Sequence, residues 1–221
     1  MHTIASGSPN VKWKDEFFVV RTTAADAGPT ARVLEVAFAL FRRGRVTWSS
    51  STLLRRPSGV DFEASWVQYQ LVRMGITPEQ LDAAPEFETV LEQNLSGVTT
   101  PVWVGQFLDA EFRALARERA IAESRLGRSL AHLVPTPRLH VSVGALASVV
   151  HPLLSRDLKG MCKRYNVEHG RTTLELAIAT GQVLVGMMDR LPDGMREMAD
   201  FVDTSRTEAR RVKARHGWRR W

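Results

Sequence analysis

The chain has 221 residues, 44% of them apolar and 24% charged, with a formal net charge of +6. That balance describes a globular protein of one domain plus an appendage, or at most two small domains, able to bury a core without disulfides or structural metal. The single cysteine, Cys162, excludes an intramolecular disulfide and fits a reducing cytoplasm, and no apolar run reaches the ~20 residues that span a bilayer.

Residues 1–10 lack the basic flank and apolar stretch of a signal peptide, so 1–15 read as an N-terminal extension. Segments 16–20, 32–41 and 45–54 are rich in Val, Phe and Leu and predict three strands, the last two joined by a tight Arg42–Arg43–Gly44 hairpin. Residues 62–74 are irregular or helical. Thr77, Pro78 and Gln80 then carry the pattern of a capped helix start, and 85–95 predict a helix. A short buried strand is expected at 102–104. A long helix follows at 109–126, with Phe112, Leu115, Ala116 and Arg119 recurring at helical spacing and Gly127 as its stop. A further strand is expected near 138–143. A helix at 157–165 presents Leu158, Met161, Cys162 and Tyr165 on one face, which makes Cys162 an inert core thiol. The last helix, 172–189, turns Leu174, Ala177, Ile178, Gly181, Val185 and Met188 inward. Three strands in a meander, then helices alternating with two more strands, predict an α/β domain with a mixed sheet.

The charge is unevenly placed. Residues 204–221 hold seven basic side chains and one acid, so this tail carries the whole formal excess while 1–203 are neutral. Arg206, Arg210, Arg211, Lys213, Arg215, Arg219 and Arg220 are joined there by Trp218 and Trp221. Arginines attract phosphate in a salt-dependent way and tryptophans stack on bases, so single-stranded DNA or RNA is the first expected partner. The same mixture also suits a solvated tail, an acidic protein partner or an anionic membrane surface. Trp13, Trp48, Trp66 and Trp103 are expected in core or edge packing. His132, His140 and His151 have no metal-ligand spacing, and there is no phosphate-binding P-loop and no nucleophile elbow.

One stretch is more specific. Gly75–Ile76–Thr77–Pro78, Leu81 and Ala84–Pro85–Glu86–Phe87 lead into Val102–Trp103–Val104–Gly105–Gln106–Phe107–Leu108–Asp109–Ala110–Glu111–Phe112. This succession resembles the DEDD family of 3′–5′ exonucleases, in its histidine-bearing branch, the group that includes the epsilon proofreading subunit of bacterial DNA polymerase III. The resemblance covers about 16–191 and implies a ribonuclease H-like fold: a mixed five-stranded central sheet flanked by helices, with 192–221 a basic helical or flexible tail. It also implies two Mg²⁺ or Mn²⁺ ions held by four acids, and a histidine that serves as general base on the attacking water.

The family-equivalent positions diverge from that chemistry. The first motif, normally D-x-E, falls at Arg21 and Thr23; the second keeps Asp109 in a D-x-x-F pattern; the third, H-x4-D, falls at Arg171 and Leu176. Glu35 fits a family position that supports the fold. Asp109 also has a plain reading as a helix N-cap, with Arg21 as its ion-pair partner. A lone carboxylate cannot cage two dications. The expectation is therefore no metal cofactor and a catalytically degenerate exonuclease-like domain. It would bind nucleic acid or a protein partner through Arg21, Gln106, Arg171 and the tail. Two alternatives stand beside it: an active exonuclease that recruits Asp26, Glu35, His169 or Glu175 to a rearranged site, and a self-assembling structural protein.

Overall fold

The computed structural model describes residues 16–25, 31–96, 98, 102–133, 139–151 and 156–190. Asp26, Trp13, the N-terminal extension and the basic tail lie outside the described residues. The elements run β1 (Glu16–Ala24), β2 (Val33–Arg42), β3 (Arg45–Leu53), α1 (Ser65–Met74), α2 (Pro78–Ala83), α3 (Phe87–Leu95), β4 (Val102–Gly105), α4 (Leu108–Leu126), β5 (Leu139–Ser142), α5 (Val143–Val150), α6 (Leu158–Tyr165) and α7 (Thr173–Met188).

The strands form one five-stranded sheet in the order β3-β2-β1-β4-β5. β1, β2 and β3 are antiparallel neighbours, while β4 and β5 continue the sheet parallel to β1. The β2–β3 connection needs left-handed backbone at both turn residues: Arg43 has φ 50° and Gly44 φ 74°, the twist a two-residue hairpin requires.

Alternation along the strands builds two cores. Phe17, Val19, Val102 and Val104 face α5, α6 and α7; Phe18, Val20 and Trp103 face α3 and α4. A third cluster, with Val67, Leu71, Ile76 and Leu81, seats α1 and α2 against Ala25 and Leu34 where β1 ends and β2 begins. Gly181 lets α7 lie directly on Phe41, since a Cβ there would meet the Phe41 ring at 2.3 Å. Among the described residues no helix is long and apolar enough to cross a membrane.

Several local expectations shift. β1 continues past Val20 because residues 21–24 remain paired with β2, so Arg21 and Thr23 sit inside the strand. Residues 65–74 are helical, α3 starts at Phe87 because Pro85 and Glu86 stay extended ahead of it, and 143–150 form a short helix that the 138–143 strand reading did not anticipate. The inward faces of two helices also differ. α4 buries Leu108, Glu111, Leu115, Glu118 and Ala122, and leaves Ala116 exposed. α7 buries Ala177, Gly181 and Met188 as expected, buries Thr173, Leu176, Thr180, Val183, Leu184 and Met187 besides, and leaves Leu174, Ile178 and Val185 only partly covered. The α4 stripe is turned by about one residue, roughly 100° around the helix, while the buried face of α7 is broader than the expected stripe and extends to its preceding neighbours.

Candidate functional site

The carboxyl ends of β1 and β4 lie side by side, with Val19 opposite Val104. One pair further on β4 stops at Gly105, so β1 runs on from Arg21 with Glu111 of α4, rather than β4, accepting from its Thr22 N–H. This is where an open α/β sheet presents its ligand-binding crevice.

Arg21, Thr22 and Thr23 occupy this strand end, and alternation divides them between the two faces. On the α7 side, Thr23 and Thr173 place their hydroxyl oxygens 2.8 Å apart, and the Thr173 hydroxyl donates to the Glu35 carboxylate. A hydroxyl has one proton, so Thr23 donates to Thr173, which donates to Glu35. Thr23 and Glu35 are also direct partners across the β1–β2 ladder. The relay therefore ties α7 to two strands at once. Leu176, one turn further along α7, is buried in the apolar cluster formed with Phe17 and Val19.

On the α4 side, Glu111 is buried at 6% exposure. Its Oε2 accepts from the Thr22 backbone N–H at 2.8 Å and from the Thr22 hydroxyl, and Arg21 Nη1 lies 3.9 Å from its Oε1. Burial pushes the Glu111 carboxyl above the ordinary range, and the Arg21 charge and the Thr22 hydrogen bonds oppose that rise. The Arg21 side chain stays 24% exposed at the strand end.

Asp109 lies in the first turn of α4 and is exposed. It is not the N-cap: that position belongs to Phe107, and no side-chain bond closes it. Nor is it the partner of Arg21, which pairs with Glu111 because Glu111 is on the buried face of α4 and Asp109 is not. A carboxylate in the first turn still complements the helix dipole.

Gln106 is buried at 2% exposure. Its amide nitrogen donates to the Arg156 carbonyl at 3.0 Å, its backbone carbonyl accepts from Gly144 N and Ser142 Oγ, and its Oε1 has no donor among the described residues. This corrects its expected place on a binding surface: the side chain is a strut between the β4 end and the segment before α6. Arg171 is exposed, two residues ahead of Thr173, and so stands at the same end of the sheet as Arg21.

The alternative ligands are dispersed. Glu175 closes the α7 capping box, accepting from the backbone of Arg171 and Thr172, while Thr172 accepts from Glu175 N. Those bonds lower its carboxyl below the ordinary range. His169 is exposed, and Glu35 is held by Thr173. Among the described residues, no three His, Cys, Asp or Glu side chains converge as a metal site would require. The tail residues Arg210, Arg211, Lys213, Arg215, Trp218, Arg219, Arg220 and Trp221 lie outside the described residues.

Solved structures match this arrangement, three of them as follows. Exonuclease X in complex with 5′-overhanging duplex DNA superposes with a TM-score of 0.59 at 16% identity, over 86% of this chain and 99% of the other. A full-length 3′-exonuclease gives 0.64 at 13% identity over 83% and 84% of the two chains. A 3′-exonuclease recognising the 3′ end of a histone mRNA stem-loop gives 0.62 at 13% identity, again over 83% and 84%. The chain has the ribonuclease H-like exonuclease fold. Identities this low establish architecture and not activity. No family model matches the sequence, and no curated protein matches it.

Sequence reasoning missed the residues that organise this exonuclease-like site internally: Glu111, Thr22 and Thr173. A signal existed for the first. Glu111 and Glu118 are seven residues apart and interleave with Leu108, Leu115 and Ala122, which places both acids on the buried stripe of α4.

Proposed function

We propose that this chain is an exonuclease-fold protein that no longer performs two-metal hydrolysis and instead binds single-stranded nucleic acid, acting in DNA or RNA metabolism in the cytoplasm. The observation that carries the reading is the Arg21–Glu111 pair. A guanidinium occupies the strand position where the family resemblance expects a metal-binding acid, and the nearest buried carboxylate is engaged with it and with Thr22. The donor set present does not fit a pair of dications. Arg21 adds positive charge, Leu176 offers no oxygen, Glu35 is taken by Thr173 and Glu175 by its helix cap.

What remains suits phosphate without metal. A planar guanidinium presents a fork of donors to phosphate oxygens, and Arg21 and Arg171 supply two such forks at one end of the sheet. The basic tail adds long-range attraction, and of the three structures named above one is a complex with duplex DNA and one concerns recognition of an mRNA stem-loop. A protein partner held by the tail is compatible with the same cleft.

The test pairs cleavage with binding. Labelled oligonucleotides incubated with Mn²⁺ should remain intact. Anisotropy should report binding that weakens steeply between low and moderate salt. Arg21→Ala and deletion of residues 204–221 should each weaken it. A cleavage ladder that disappears in Asp109→Ala would replace this reading with an active, rearranged exonuclease.

A further inference from the structure

α1 carries a feature that its packing does not require. Its inner stripe, Val67 and Leu71, is buried with Ala25, Leu34 and Leu81 at the carboxyl end of β1. Its outer stripe is Trp66, Tyr69 and Val72, exposed at 45%, 56% and 79%. The two rings are stacked on each other, with centroids 5.8 Å apart and planes 29° from parallel. A helix is about 10 Å across, so the rings stand roughly one helix diameter outside the Ala25–Leu34 cluster, which lies four residues beyond Arg21 in the chain.

We propose that the Trp66–Tyr69 pair is a base-stacking platform for single-stranded nucleic acid, placed beside the crevice of the sheet. The inference rests on the nucleic-acid reading above and adds a site to it. Three observations select this occupant over an apolar protein surface. The rings are already mutually stacked, which pre-orders a flat π surface that any base can extend. α1 contains no carboxylate from Ser65 to Met74. Arg73, in its last turn, is exposed and has no carboxylate partner among the described residues, so it sets one cation a turn from Tyr69, while the exposed acids Asp61 and Glu63 lie ahead of the helix start. A strand whose phosphates meet Arg21 and whose bases lie on Trp66 and Tyr69 would use both halves of that chemistry.

The test uses the full chain and fluorescein-labelled oligonucleotides of equal length, one oligothymidylate, one oligouridylate and one abasic. Trp66→Ala with Tyr69→Ala should lower affinity for both base-bearing strands by about tenfold or more, on the usual worth of base–aromatic stacking. It should leave affinity for the abasic strand unchanged, and a melting temperature taken alongside separates loss of the half-covered rings' packing from loss of base stacking. Trp66→Phe, which keeps a ring, should retain most of the affinity. If the double variant binds every strand as the wild type does while Arg21→Ala still weakens binding, the platform is wrong and the nucleic-acid reading stands. If the wild type binds no oligonucleotide, both are wrong. A double variant with unaltered oligonucleotide binding but lost self-association in sedimentation velocity would overturn the proposal in favour of a face between copies of this chain.

Discussion

The two sides of β1 answer the same problem differently. Toward α7, the positions where the family resemblance expects metal-binding acids hold Thr23 and Leu176, and the strand is joined to the helix by a hydroxyl relay ending on Glu35. Toward α4, two buried glutamates remain, but both are bonded to backbone. Glu111 binds Thr22 N, and Glu118 binds Val33 N together with the Arg32 guanidinium. Both carboxylates project from α4 and hold the ends of β1 and β2 in place. A buried acid persists only if hydrogen bonds and an opposite charge offset its desolvation, and these two have both.

The sharpest way to break this comparison is Glu118→Ala. It strands Arg32 beside a buried backbone N–H, and urea denaturation should show a loss of about 3–5 kcal/mol, the usual cost of opening a buried pair. On the opposite side, Leu176→Ala removes only apolar volume and should cost about 2–5 kcal/mol by the same measurement. If Leu176→Ala proved neutral, the apolar sealing of the α7 side would be wrong.

Glu111→Gln sharpens the contrast through pH. Burial holds the folded carboxyl above its reference value of 4.5, so the protonated form is the better tolerated one. Its contribution to stability is complete below the unfolded value and falls as pH rises through the folded one. The wild type should therefore lose stability relative to Glu111→Gln as pH is raised from 4 toward 7; a difference independent of pH would mean Arg21 and Thr22 fully offset the burial. The smallest effect is expected from Thr172→Ala, which opens the α7 capping box at about 1 kcal/mol and leaves the β1 relay in place.

The parts legible in the sequence were those fixed by local chemistry. Thr77, Pro78 and Gln80 announced the α2 capping box, and Arg43–Gly44 the hairpin, because each motif satisfies its own backbone groups within a few residues. The Val- and Phe-rich run at 16–20 announced a strand, which the structure buries on both faces. The site was less legible. Asp109 looked like the surviving acid because it lies in a familiar pattern, yet Glu111, two residues later, is the one that faces β1. Gln106 looked available because amides commonly are, and Trp66 looked like packing because tryptophans commonly are. Exposure depends on what is stacked against each side chain, and periodicity located those faces only to within about one residue, or ~100° of helix rotation.

The sequence by itself determined the α/β order, the strand alternation, the tail charge and the absence of acids at positions 21, 23, 171 and 176, since these are properties of composition and spacing. Only the tertiary structure decided that Arg21 pairs with Glu111 and that Thr23, Thr173 and Glu35 form one relay. Those groups are separated by about 90 to 150 residues of chain. Their meeting depends on the parallel register of β1 with β4 and on the rotation of α4 and α7 about their own axes, which no local pattern specifies.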